Sequence, residues 1–217
     1  MPASYEQIAG RSVERLAALS DGLFAIAMTL LIIELHTPAA AAIHSEAELW
    51  QGLIALAPQI MMYLIGFLTL GIFWVGQQTQ LNNFARVDRD LTWIHIGFLA
   101  AVALMPFSTA LLAEFITYRL ALTIYWLNIL LLGVGLYASW AHARRAGLLK
   151  EEATAEITTI TRHRIITYQA GYFACMLLGF LNIYLGIACL FVLQLSSALS
   201  LRARIARLWP FGRHRRR

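Results

Sequence analysis

The chain has 217 residues, of which 59% are hydrophobic and only 13% charged; its mean hydropathy is +0.65 and its formal net charge +5. That composition excludes an ordinary soluble domain, whose polar surface would need far more charged side chains. A bilayer is the solvent that fits, and one helical crossing takes ~20 mostly apolar residues to span ~30 Å of hydrocarbon.

In chain order, six segments reach or approach that length: 16–36, 50–76, 91–113, 119–141, 164–181 and 183–201. The expected fold class is therefore all-α, a polytopic membrane protein with six transmembrane helices forming one domain over residues 1–217. The first segment sits within "RLAALSDGLFAIAMTLLIIEL", residues 15–35. On a helical wheel Ala18, Gly22, Ala25 and Thr29 form a small-residue stripe, and Leu19, Leu23, Ile26, Leu30 and Ile33 form a bulky stripe beside it. Small residues mark where helix backbones approach closely in lipid. If several copies pack through the small stripe, Ile26, Leu30 and Ile33 turn toward a common axis and make an apolar constriction that a cation passes only by shedding water. Thr29, next to that stripe, can offer its hydroxyl to such an ion. Asp21 and Glu34 then place carboxylates near the two mouths. The same spacing also suits a face turned to lipid or to a neighbouring helix. Arg15 and Asp21 are six positions apart, about 600° around a helix, so they cannot pair, and Arg15, Ser20 and Asp21 each need partners elsewhere.

The outer loop 37–49 carries Pro38 and ends with Ser45, a suitable N-cap for the second span. Pro58 and Pro106 lie inside the second and third spans and are expected to kink them, with Ser108 and Thr109 placed to satisfy the freed backbone. Residues 77–90 form a polar turn, and 142–163 is long enough for helical extensions beyond the membrane. Residues 165–201 are one apolar run too long for a single crossing, so a tight hairpin is expected near Asn182. Cys175 and Cys189 fall inside spans and nothing in their spacing points to a disulfide. The six histidines show no metal-ligand spacing, so no cofactor is expected; His95, alone within a span, is expected to hold a polar bond in the bundle. The basic tail 202–217 suits anionic lipid headgroups, and nothing supports binding of nucleic acid.

With the N-terminus inside, 16 of the 17 basic residues fall on the cytoplasmic side and only Arg119 lies outside. The positive-inside rule reads this as an even number of spans in the cell membrane with both termini cytoplasmic. A signal-peptide reading, with "PAAAA" at 38–42 as the cleavage site, conflicts with the acidic Glu6, Glu14 and Asp21 and breaks the even-span charge pattern.

The first segment resembles the opening helix of the transmembrane protein 175 family of lysosomal-type potassium channels, whose hallmark is an Arg, three residues, then Phe-Ser-Asp. Here the pattern is Arg15, Leu16 to Ala18, then Leu19, Ser20 and Asp21, with Leu in place of Phe. The likeness continues through "LGIFWVGQQ" at 70–78, "RVDRDLTWIH" at 86–95 and "ALMPFSTALLAE" at 103–114. Family members commonly carry a histidine a turn after the second-helix Trp; here Gln77 and Gln78 follow Trp74. The resemblance implies a homotetramer around the first helix, permeant K+ ions, a constriction at Ile26, Leu30 and Ile33 with Thr29 beside it, and an inter-helix network at Arg15, Ser20 and Asp21. No "TVGYG"-like stretch occurs, so a carbonyl filter of the usual kind is excluded. The alternative function is a secondary transporter coupling cations to protons, yet every carboxylate sits near a membrane boundary. No convergent nucleophile, base or metal set points to an enzyme.

Overall fold

The computed structural model describes residues 12–153 and 155–208; the end of the basic tail, 209–217, lies outside them. The described residues are almost entirely helical: α1 (Val13–Ile33), α2 (Glu46–Ala55), α3 (Ala57–Leu81), α4 (Arg89–Ala103), α5 (Met105–Glu114), α6 (Arg119–Arg145), α7 (Ala155–Leu181) and α8 (Ile183–Leu208), with a 3-10 turn at Ala40–Ala42. Five helical segments among them are long and apolar enough to cross a bilayer: Val13–Ile33, Ala57–Leu81, Arg89–Glu114, Arg119–Arg145 and Thr159–Leu181. The apolar part of α8, Ile183–Leu199, is shorter, reaching ~25 Å at ~1.5 Å per residue.

Local chemistry sets the boundaries. Ser12 caps α1 through Arg15 N–H at 3.3 Å, and Ser45 caps α2 through Glu48 N–H at 3.2 Å, as its sequence position predicts. The second expected span is two helices, α2 giving way to α3 at Leu56, whereas the third is interrupted only at Leu104 between α4 and α5 and still runs as one segment, Arg89–Glu114. Pro58 and Pro106 cause both breaks, because a proline lacks the N–H that a continuous helix needs but fits the first turn of a new one. Pro106 frees the carbonyl four residues before it, that of Val102; the Ser108 hydroxyl donates instead to Met105 C=O at 3.1 Å and the Thr109 hydroxyl has no partner, so neither residue serves the freed backbone as expected.

The hairpin falls at Asn182, whose side-chain oxygen accepts from Tyr184 N–H at 3.0 Å and Leu185 N–H at 3.3 Å to start α8. Gly179 and Gly186 bring α7 and α8 into backbone contact that a Cβ on Gly186 would block. That close approach puts the Cys175 and Cys189 sulfurs 3.0 Å apart as free thiols. Sequence spacing alone does not show this pairing, because it depends on the hairpin register.

The main core lies between α1 and α3 to α8 and includes Phe24, Leu31, Ile65, Phe98, Leu132 and Tyr172. A second, smaller cluster sits at the Leu16 end of α1, where Leu81, Phe84, Leu91, Trp140 and Leu148 pack together. Two loops close that end: Ala85 N–H donates to Leu148 C=O at 2.8 Å and Lys150 N–H to Asn83 C=O at 2.9 Å. Gly147, at φ 64° just after α6, makes the left-handed turn that leads into this pairing. Asp88 caps α4 through Leu91 N–H at 2.7 Å and meets His142 Nε2 at 2.8 Å. Burial pushes the Asp88 carboxyl up, but the Leu91 and His142 hydrogen bonds outweigh it and hold the group below the usual carboxylate value.

Candidate functional site

One face of α1 packs and the other does not. Leu16, Ser20, Phe24, Ala27 and Leu31, spaced three or four apart, are the buried residues of the helix. On the other side Ile26 is 57% exposed, Leu30 42% and Ile33 64%. The small residues Ala18, Gly22, Ala25 and Thr29 are not buried either, and a Cβ placed on Gly22 would meet nothing within 4 Å. Both wheel stripes therefore lie on the uncovered side of the subunit, except that Leu23 is partly buried against the core. An open, almost wholly apolar groove of about 650 Å³ runs beside them between α1 and α3, with Ala25, Met28 and Gly71 in its lining.

Thr29 Oγ1 donates to Ile26 C=O at 2.8 Å. Its one proton is thereby committed to its own helix, and the lone pairs left on that oxygen can only accept, which suits a cation. Glu34 is the C-cap of α1 and is exposed.

At the other end, the structure gives Ser20 and Asp21 partners on two different helices. Asp21 Oδ1 accepts from Trp74 Nε1 at 2.8 Å and from Gln78 Nε2 at 2.5 Å, tying α1 to α3. Ser20 Oγ lies 2.7 Å from His95 Nε2 on α4, and Gln77 Nε2 lies 3.1 Å from the same nitrogen. Both side chains thus converge on one imidazole nitrogen, and the three residues form a buried polar cluster joining α1, α3 and α4. The Ser20 hydroxyl is shared between that nitrogen and Leu16 C=O at 2.8 Å. The His95 ring packs on Phe98, with centroids 5.7 Å apart, and Phe98 on Phe24 at 6.0 Å, so aromatic contact continues the connection into the core. Arg15 is brought into neither group: it is exposed, and no ion pair to it occurs among the described residues.

His95 thus holds the buried polar bond that its position predicts. The glutamines that replace the expected histidine after Trp74 both serve the first-helix motif, Gln77 through His95 and Gln78 directly on Asp21. The adjacency of Trp74, Gln77 and Gln78 was the available signal; the pairing of two of them with Asp21, more than 50 positions away, was not readable. Among the described residues no group of three or more His, Cys, Asp or Glu side chains is arranged to hold a metal ion.

A family model described as the endosomal/lysosomal potassium channel TMEM175 matches residues 15–106. A Streptomyces collinus protein named as a potassium channel is 34% identical over 179 residues, covering 80% of this chain and 85% of that protein. A Chamaesiphon minutus protein, also named as a potassium channel, is 31% identical over 193 residues, covering 85% of this chain and 93% of that one. Among solved structures, the crystal structure of a lysosomal potassium-selective channel TMEM175 homolog from Chamaesiphon minutus superposes with a TM-score of 0.76 at 27% identity, covering 87% of this chain and 97% of that chain.

Proposed function

From the premise that this chain belongs to the TMEM175 family, we propose that it is a potassium channel, selective for or preferring K+, whose filter is a hydrocarbon constriction. Four copies surround an axis lined by α1, with Ile26, Leu30 and Ile33 facing inward and the acceptor oxygen of Thr29 beside them. Branched side chains offer an ion no ligands, so passage requires partial dehydration, and K+, which holds its water less tightly than Na+, is favoured. Asp21 and Glu34 raise the local cation concentration at the two mouths. Arg15, Ser20 and Asp21 serve assembly and the open state, Ser20 and Asp21 by fixing the rotation of α1 against α3 and α4, and Arg15 through contacts outside its own subunit. The whole chain acts as one six-span membrane domain in the cell membrane with cytoplasmic termini, and its basic tail meets anionic headgroups. The activity is transport, without enzymatic chemistry or a cofactor.

The observation that carries this reading is the uncovered bulky stripe of α1, whose opposite face is fully engaged by its own subunit. In lipid that exposure alone is permissible, but together with an uncovered small-residue stripe it provides both a helix contact and a lining. Reversal potentials in proteoliposomes under K+ and Na+ gradients test it. Ile26→Asn should reduce K+ over Na+ preference, because an amide ligand lowers the cost of dehydration for both ions; unchanged preference would remove Ile26 from the filter.

A further inference from the structure

Helices α3 and α7 both pack against α6, and a cleft of about 470 Å³ stays open between them. Its lining residues on α7 recur every one, three or four positions from Ile157 to Tyr172, so it follows one face of that helix for ~22 Å at ~1.5 Å per residue. Phe73 on α3 stacks on Tyr172, with centroids 6.5 Å apart, and bounds the end nearer the hairpin. Ile72, Gly76, Leu136 and Ile165 add apolar wall. Ile72, Gly76 and Ile165 are only partly buried and Ile160 is 50% exposed, so the cleft opens onto the surroundings of the subunit.

Arg164 is the one charged residue of the lining among the described residues. From Leu181 back to Arg164 α7 rises ~26 Å at ~1.5 Å per residue. Set against ~30 Å of hydrocarbon, that rise puts Arg164 near the membrane boundary opposite the hairpin, the cytoplasmic one in the orientation proposed above. Its guanidinium carbon lies 5.9 Å from the centroid of the Tyr168 ring, another lining residue. No carboxylate lines the cleft, and no ion pair to Arg164 occurs among the described residues. A half-buried guanidinium has five donors and a fixed positive charge. Beside an apolar cleft it complements an anion that carries hydrocarbon.

We propose that this cleft binds one anionic phospholipid, with its phosphate on Arg164 and one acyl chain lying along α7 towards Phe73 and Tyr172. A phosphate matches the guanidinium fork, and basic pockets between membrane helices on the cytoplasmic side suit anionic headgroups. From Arg164 to Tyr172 α7 rises ~12 Å, comparable with the ~15 Å of hydrocarbon in one leaflet. The basic tail cannot be the occupant, because Arg213, Arg215, Arg216 and Arg217 would repel Arg164. Lipid held here is walled by three helices, unlike headgroups that meet the tail. The site needs no conduction to exist, so its failure leaves the channel reading standing, and the reverse also holds.

The test is photolabelling of the full chain in phosphatidylcholine vesicles that contain a trace of phosphatidylglycerol with a diazirine at the end of one acyl chain. Labelled residues are mapped by mass spectrometry. The share of label displaced by excess unlabelled phosphatidylglycerol, and not by added phosphatidylcholine, is expected within 72–80 of α3 and 165–172 of α7. Arg164→Gln should weaken that displaceable binding about fivefold, with helical circular dichroism unchanged. Arg162→Gln, which removes an exposed charge from the same helix outside the lining, should leave it as it was. Displaceable label elsewhere or none at all, equal displacement by phosphatidylcholine, native binding in Arg164→Gln, or an equal loss in Arg162→Gln would each overturn the site.

Discussion

On α1, Leu16, Phe24, Ala27 and Leu31 are at most 6% exposed, whereas Ile26, Leu30 and Ile33 on the other side are 42 to 64% exposed. The two faces are about equally apolar, so hydrophobicity does not decide which one packs; in a bilayer, burying hydrocarbon in protein gains little over leaving it in lipid. What distinguishes the packed face is its hydrogen bonding. Ser20 meets His95 at 2.7 Å, and Asp21, at the edge of that face, takes donors from Trp74 and Gln78. Polar pairing thus fixes the rotation of the helix, and the branched side chains are left where a second copy can meet them.

Substitutions on each face should separate stability from conduction. Phe24→Ala removes a side chain that is 1% exposed and packed against the Phe98 ring, and should cost about 3–5 kcal/mol in detergent unfolding, while Ile26→Ala should barely move the unfolding midpoint. Equal losses from the two would mean that the faces are not distinct. Ser20→Ala leaves the buried His95 ring a partner short and should cost about 1–3 kcal/mol, again without a change in ion preference. The cap of α4, away from both faces, provides a smaller effect. Asp88→Ala should cost about 1 kcal/mol near neutral pH by removing that cap. Because the Asp88 pKa is lowered in the folded chain, its stabilisation is fully present above the ordinary carboxylate value of ~3.9 and is lost as pH falls through the lowered one. The gap between native and variant chains should therefore close in unfolding experiments below about pH 4; a gap that persists there would contradict the capping role.

The extent of α1, the Ser45 cap and the hairpin at Asn182 were legible in the sequence, since each depends on residues within a few positions of one another. The helix breaks at Leu56 and Leu104 were signalled by Pro58 and Pro106 but concealed by the continuous apolar runs around them. Three tertiary pairings, Gln78 with Asp21, His95 with Ser20 and Cys175 with Cys189, were not legible at all. Each depends on helix register and rotation, which close contacts such as Gly179 against Gly186 establish.

The central claim is that the exposed branched stripe of α1 faces a water-accessible axis between subunits. It is tested most directly by the substitution Ile26→Cys in a chain whose Cys175 and Cys189 are replaced by serine, following K+ flux from proteoliposomes during treatment with a charged, membrane-impermeant methanethiosulfonate. The account predicts that the reagent modifies the introduced thiol and arrests the flux. Undiminished flux, with that thiol reacting only with a lipid-soluble maleimide, would place the stripe in the bilayer and contradict it.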